Sequence, residues 1–193
     1  MQRLHHYLVE HRWGEPSTIQ IYDRSKTVSR APLRFHVVAW NADEECDVTT
    51  FMTVGMSELL MPQSDYRVEM TLAVRGELTQ DQRIGLADFL ANLAEYPVMY
   101  DRRLDWWERL INPGVIPAFP ACSQILIAPP FGDDPFERFP SPDDDVKLLW
   151  MIPITAREGH ILKTQGRSAF LDYWEAEGVD IFSPRSDTPA GIE

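Results

Sequence analysis

Cysteine is scarce in this sequence. Its 193 residues hold two, Cys46 and Cys122, too few for a disulfide framework and without the Cys-x-x-Cys spacing of a zinc or redox site. They read as reduced thiols. Basic residues are in deficit, 18 against 30 acidic, for a formal net charge of −12 and a pI near 4.8. Affinity for phosphate backbones and anionic lipid rests on cationic contacts, so this balance argues against nucleic acid and membrane surfaces as partners. Long apolar runs are missing too. The longest, Leu148 to Ile154, holds seven residues and a proline, against the roughly 18 needed to span a bilayer. Met1 to His6 has no hydrophobic stretch behind its charge, which predicts no secretory signal and a cytoplasmic protein. Neither Gly-x-Gly-x-x-Gly nor a Walker loop occurs, so no phosphate cradle is encoded in a recognisable form.

What is present is core-forming material, 44% hydrophobic and 11% aromatic, which excludes a disordered chain. The length fits one domain, residues 1–193, with no repeat or composition break inside it. The clearest element is the strand Tyr66 to Arg75, where Val68, Met70, Leu72 and Val74 alternate with Arg67, Glu69, Thr71 and Ala73. Further strands are expected at Thr18–Tyr22, Leu33–Trp40, Val48–Val54, Gln124–Ala128 and Val146–Ile152. Thr79 with Gln82, and Thr155 with Glu158, are capping boxes that open helices. The first should stop at Tyr96-Pro97, and another helix is expected over Asp101–Leu110. After Thr155 one helix runs to about Thr164 and a second spans Ser168–Glu177. Strands in runs, with helices between and after them, predict an α+β domain: a mixed β-sheet with flanking helices.

Candidate chemistry is thin. Gly55-Met56-Ser57-Glu58-Leu59 begins like a nucleophile elbow but lacks the second glycine, so Ser57 is expected to cap a turn rather than attack. His6 to His11 approximates a His-x-x-Glu-His zinc motif with one residue too many; on a helix His6 and Glu10 share a face that His11 leaves. No metal site or cofactor follows. His36 reads as a hydrogen-bonded core residue, and Arg67 with Glu69 as an ion pair along one strand face. Two loops concentrate the acidity: Asp43 to Asp47 with −4, and residues 131–145 with −5. In the second, Asp133, Asp134, Glu137, Asp143, Asp144 and Asp145 are the candidate contacts for a basic protein partner.

Several stretches together resemble the Suppressor of fused family. Thr53-Val54-Gly55-Met56-Ser57, then Arg67-Val68-Glu69-Met70, resemble its T-x-G-x-S … R-x-E-L signature. Leu90 to Pro97, Pro117 to Pro120, Ile125 to Pro130, Pro153 to Glu158 and Gly178-Val179-Asp180 follow in the family's order, covering about residues 35–185. Gly55, Ser57, Arg67, Glu69 and Pro97 are the matched signature positions, structural or binding. The resemblance implies a mixed sheet with flanking helices and no catalytic activity. Eukaryotic members bind zinc-finger transcription factors of hedgehog signalling with help from a second, C-terminal domain. This chain is too short for that half, so its contacts are not carried over. Chains of this size are similar to the bacterial stand-alone branch, thought to supply immunity proteins that neutralise toxins.

The sequence therefore points to a non-enzymatic protein-binding domain, an immunity-type neutraliser whose partner is a basic toxin domain. The alternatives are a serine-dependent hydrolase using Ser57 and a structural or adaptor domain without a toxin partner.

Overall fold

The computed structural model describes residues 7–9, 14–24, 34–130, 138–139 and 146–185. Eight of its segments are strands: β1 (Thr18–Asp23), β2 (Arg34–Trp40), β3 (Val48–Val54), β4 (Arg67–Arg75), β5 (Arg109–Ile111), β6 (Cys122–Ala128), β7 (Arg138–Phe139) and β8 (Val146–Thr155). They form one sheet in the order β1-β2-β3-β4-β8-β6-β5, with β7 pairing β8. The first four strands are an antiparallel meander. β4 and β8 then run parallel, with Val68 opposite Lys147, and β8, β6 and β5 return to antiparallel pairing. The sheet is mixed, as expected.

Two helices flank it, α1 (Gln80–Tyr100) and α2 (Ala156–Ala176). Both capping boxes form, each threonine accepting from the backbone of the residue three on, whose side chain reaches back to the threonine's own N–H. The period of two in β4 sends Val68, Met70, Leu72 and Val74 toward α1, into a core with Phe35, Val37, Phe51, Leu86, Leu90 and Leu149. On the opposite face Leu126, Ile152 and Ile154 pack with Phe170 and Trp174 of α2. Beside them Val38, Met52, Val54 and Leu148 surround Leu8, which is fully buried.

Two local expectations are revised and a third is met. Helix α1 passes through Pro97 and ends at Tyr100. Proline removes the bond to the Leu93 carbonyl, and the helix runs on because tertiary packing holds its last turns, with Leu93, Ala94 and Pro97 buried. Its own carbonyl then accepts from the N–H groups of Asp101 and Arg102 as the chain turns left-handed at Asp101. Residues 101–108 are not helical. Trp107 adopts a φ of 71°, and its N–H donates to Ile127 O (2.6 Å), tying the segment to the sheet. The two helices expected after Thr155 are both present, separated by the non-helical Gly166 (φ 85°, ψ 179°), and are together named α2. Glycine reaches that conformation without a Cβ clash.

α2 meets the sheet closely at Gly159. Arg109 Nη1 donates to both Gln124 Oε1 (2.8 Å) and Gly159 O (2.7 Å), holding the Gln124 amide where a Cβ on residue 159 would lie 2.6 Å from Gln124 Cδ. Gly159→Ala should therefore destabilise the fold by about 1–3 kcal/mol, since the amide must move and loosen Arg109. Urea unfolding of the two proteins measures the difference; equal midpoints would show that Gln124 relaxes freely.

Candidate functional site

The signature residues converge on one turn. Past β3, Gly55 takes a φ of 108°, and Met56–Glu58 form a short 3-10 turn. A positive φ there suits glycine and lets the chain reverse toward β4. The turn is held by the carboxylate of Glu69, which has no solvent exposure. Its Oε1 accepts from Gly55 N (2.8 Å), Ser57 N (3.0 Å) and Ser57 Oγ (2.6 Å); its Oε2 accepts from Thr53 Oγ1 (2.6 Å). Thr53 Oγ1 in turn accepts from Met70 N (2.8 Å), so a threonine side chain ties the end of β3 to β4. Arg67 grips the same turn, Nη1 donating to Ser57 O (3.0 Å) and Glu58 O (2.9 Å). Pro97 is buried in α1 and borders, with Val98, the hollow lined by Met56, Leu59 and Val68. Thus Gly55, Ser57, Arg67, Glu69 and Pro97 are brought together.

Two readings of these residues are corrected. Gly55, not Ser57, is the N-cap of the turn, with no side-chain cap bond. Ser57 instead donates its hydroxyl to a buried carboxylate, which aims the Oγ proton into the protein. And the expected Arg67–Glu69 pairing is realised through the turn between them: Glu69 accepts the turn's donors while Arg67 donates to its carbonyls. Burial raises the Glu69 pKa above the usual value of 4.5, and the donors from Ser57, Thr53 and Gly55 pull it back only in part.

Sequence periodicity does not reveal three further polar clusters. Lys147, buried on β8, pairs with Asp105 and lies over the rings of Trp106 (3.9 Å) and Tyr66 (5.1 Å). Burial raises the Asp105 pKa, but Lys147 and the Trp106 N–H outweigh it and hold the carboxyl below its usual value. Arg75 at the end of β4 bridges Asp47 and Asp180, with Arg75 Nε 2.6 Å from Asp180 Oδ2. Glu158 accepts from Trp174 Nε1 (2.7 Å) and Arg185 Nη1 (2.9 Å) besides closing its capping box. Asp180 and Glu158 both belong to stretches that carry the resemblance, so these too serve as clasps between distant segments.

The acidic loops divide. Asp43 Oδ1 accepts from the N–H groups of Glu45 (2.9 Å) and Cys46 (2.8 Å), and Asp47 pairs with Arg75, leaving Glu44 and Glu45 exposed without such internal roles. Asp133, Asp134, Glu137, Asp143, Asp144 and Asp145 lie outside the described residues, as do His5, His6 and His11. His36 is half-buried on the sheet face opposite α1 rather than enclosed in the core. Cys46 is exposed and Cys122 buried, and neither is in a disulfide. Among the described residues no three His, Cys, Asp or Glu side chains converge as metal ligands, and no helix is long and apolar enough to cross a membrane.

The family pattern described as Suppressor of fused protein (SUFU) matches residues 29–185. The chain belongs to the Suppressor of fused family. Among solved structures, a Suppressor of fused homolog from Neisseria gonorrhoeae superposes with a TM-score of 0.64 at 17% identity, covering 90% of each chain. A chain of the Sufu-Fu complex gives 0.63 at 13% identity, over 95% of this chain and 87% of that one. Drosophila Suppressor of Fused gives 0.55 at 11% identity over 80% of this chain, which spans 41% of its length. These likenesses are of fold. No curated protein matches by sequence. The Suppressor of fused signature in this chain is thus a buried carboxylate, the turn it holds and the arginine that grips the turn.

Glu69→Ala should cost about 2–4 kcal/mol, because Gly55 N and Ser57 N lose their buried acceptor. Glu69→Gln should cost much less: its Oε1 keeps three donors and its amide meets Thr53 Oγ1. A carboxyl whose folded pKa is raised binds its proton more readily folded than unfolded. Stability should therefore rise as pH falls from the raised value toward about 4.5, and Glu69→Gln should remove that rise. Urea midpoints across pH 4.5–8 test both statements.

Asp180 behaves oppositely. The Arg75 hydrogen bond, helped by Ser183 and the Phe182 N–H, lowers its pKa to about 2. Its contribution is present above the ordinary carboxylate value of about 3.9 and is lost as pH falls toward 2. Amide exchange at residues 178–183 should accelerate over that window in the wild type. In Asp180→Asn it should be fast throughout; an unchanged profile would remove the clasp.

Proposed function

We propose that this chain is a non-enzymatic protein-binding domain, and that it acts in the cytoplasm as an immunity-type protein neutralising a basic toxin partner. One observation carries the reading: two stretches of the sequence, residues 43–47 and 131–145, hold −4 and −5 of a net charge of −12. An acidic surface concentrated in loops raises the encounter rate with a basic protein and repels nucleic acid and anionic lipid. Membership of the Suppressor of fused family supports the protein-binding part, since a chain of the same fold is found in the Sufu-Fu complex. The serine hydrolase alternative loses ground because Ser57 Oγ donates to Glu69 at 2.6 Å. The whole chain, 1–193, is taken as the binding unit.

Rim charges act mainly on association. Converting Asp133, Asp134, Glu137, Asp143, Asp144 and Asp145 to their amides should slow capture of the partner about tenfold at low salt and change its release far less. The partner is obtained by affinity capture from the source cell with salt-gradient elution, and the rates are then measured on immobilised protein. A single stoichiometric basic protein, eluting at moderate salt, is the expected catch. Capture rates indifferent to the six substitutions would overturn the loop assignment, and a catch without a basic protein would overturn the toxin reading.

A further inference from the structure

The sheet ends at β1, which pairs β2 on one side and has no strand on the other among the described residues. Such an edge leaves a row of backbone N–H and C=O groups without ladder partners, and proteins usually blunt it with lysine, proline or a bulge. Thr18-Ile19-Gln20-Ile21-Tyr22-Asp23 carries none of these, and its register with β2 is unbroken from Thr18 opposite Ala39 to Asp23 opposite Arg34. Ile19 and Ile21 point away from α1 and are 49% and 60% exposed.

Behind the same edge lies a cleft. Thr18 and Gln20 face it from β1; Val37, Ala39 and Phe51 make its apolar floor; Gln80, Arg83, Ile84 and Ala87 line it from the first turns of α1. It is shallow and opens to solvent. Ile84 on its wall is 41% exposed. Arg83 is the one charged residue in that lining, and its guanidinium has no hydrogen bond, ion pair or ring contact among the described residues. The neighbouring acid on the helix, Asp88, already accepts from Tyr22 OH (2.8 Å), which also donates to Gln20 Oε1 (2.6 Å).

We propose that the β1 edge and the cleft behind it bind an extended peptide segment bearing a carboxylate. The segment adds to β1 as a strand, alternate side chains enter the cleft, and a carboxylate among them meets Arg83. The period of two decides the rest of the recognition: the other side chains lie beside Ile19 and Ile21 and are apolar. A second copy of this chain fits less well. β1 would offer its partner's cleft Thr18, Gln20 and Tyr22, none of which carries a negative charge for Arg83. This site is separate from the acidic loops and does not depend on the toxin-neutralising reading.

The test uses the full chain and a blocked peptide of alternating valine and threonine with one central glutamate. Two-dimensional amide NMR should show saturable shifts confined to residues 18–23 and 80–87. Arg83→Gln, checked for unchanged unfolding, should weaken binding about tenfold, as should glutamine in place of the peptide's glutamate. N-methylation of alternate peptide amides should abolish binding by removing the ladder donors. No saturation, or affinity indifferent to Arg83→Gln, overturns the proposal. So does a simple carboxylate such as hexanoate binding as tightly as the peptide, or a self-associated dimer that buries β1 and excludes it.

Discussion

A carboxylate with no access to water must find its donors inside the protein, and for Glu69 they come from the chain segment that has to reverse direction after β3. Two backbone N–H groups and two hydroxyls supply them. Because one side chain takes donors from Thr53, Gly55 and Ser57 while sitting on β4, it fixes the end of β3, the turn and the central strand as a unit. The parallel junction with β8 runs through that point, from Arg67 opposite Val146 past Glu69 opposite Leu148. The two halves of the sheet meet across this junction, the meander β1 to β4 on one side and β8, β6 and β5 on the other. An error in the turn would displace Met56, Leu59 and Val68 from the hollow beside Pro97, and with them the C-terminal turn of α1.

The remaining buried or clasped charges repeat this logic at other joints. Lys147–Asp105 ties the segment after α1 to β8, Arg75–Asp180 ties the chain after α2 to the end of β4, and Glu158–Arg185 ties that chain to the start of α2. Each removes freedom from a connection that apolar packing alone would leave loose. The residues that identify the family are thus engaged internally. Among the described residues, the edge at β1 and the exposed Glu44 and Glu45 lie outside these engagements.

Much of this fold is legible in the sequence because its signals are local. Alternation marks β4, and the spacings Thr79 to Gln82 and Thr155 to Glu158 mark both helix starts. Gly166 lies where a helix break is expected. What fails is equally physical. Pro97 reads as a stop, yet the tertiary packing of the buried Leu93, Ala94 and Pro97 carries the helix past it to Tyr100. Residues 101–108 have helical composition, but Asp105 and the Trp107 N–H find partners in β8 and β6 that no local pattern announces. Arg67 and Glu69 are recognisable as neighbours on one face. That both serve the turn at 55–58 is not, because the partners are backbone groups, which every residue carries. Arg75 and Asp180 are separated by 105 positions, beyond the reach of any periodicity.

Glu69 is a buried carboxylate that holds the turn after β3. The most direct measurement is a carbon-13 NMR titration of its carboxyl carbon, followed together with the Gly55 and Ser57 amide protons. Burial of the carboxyl should place its midpoint above the ordinary value of about 4.5, with both amides shifting at that same midpoint as their acceptor is protonated. A midpoint at or below 4.5, or amides that ignore the titration, would contradict it.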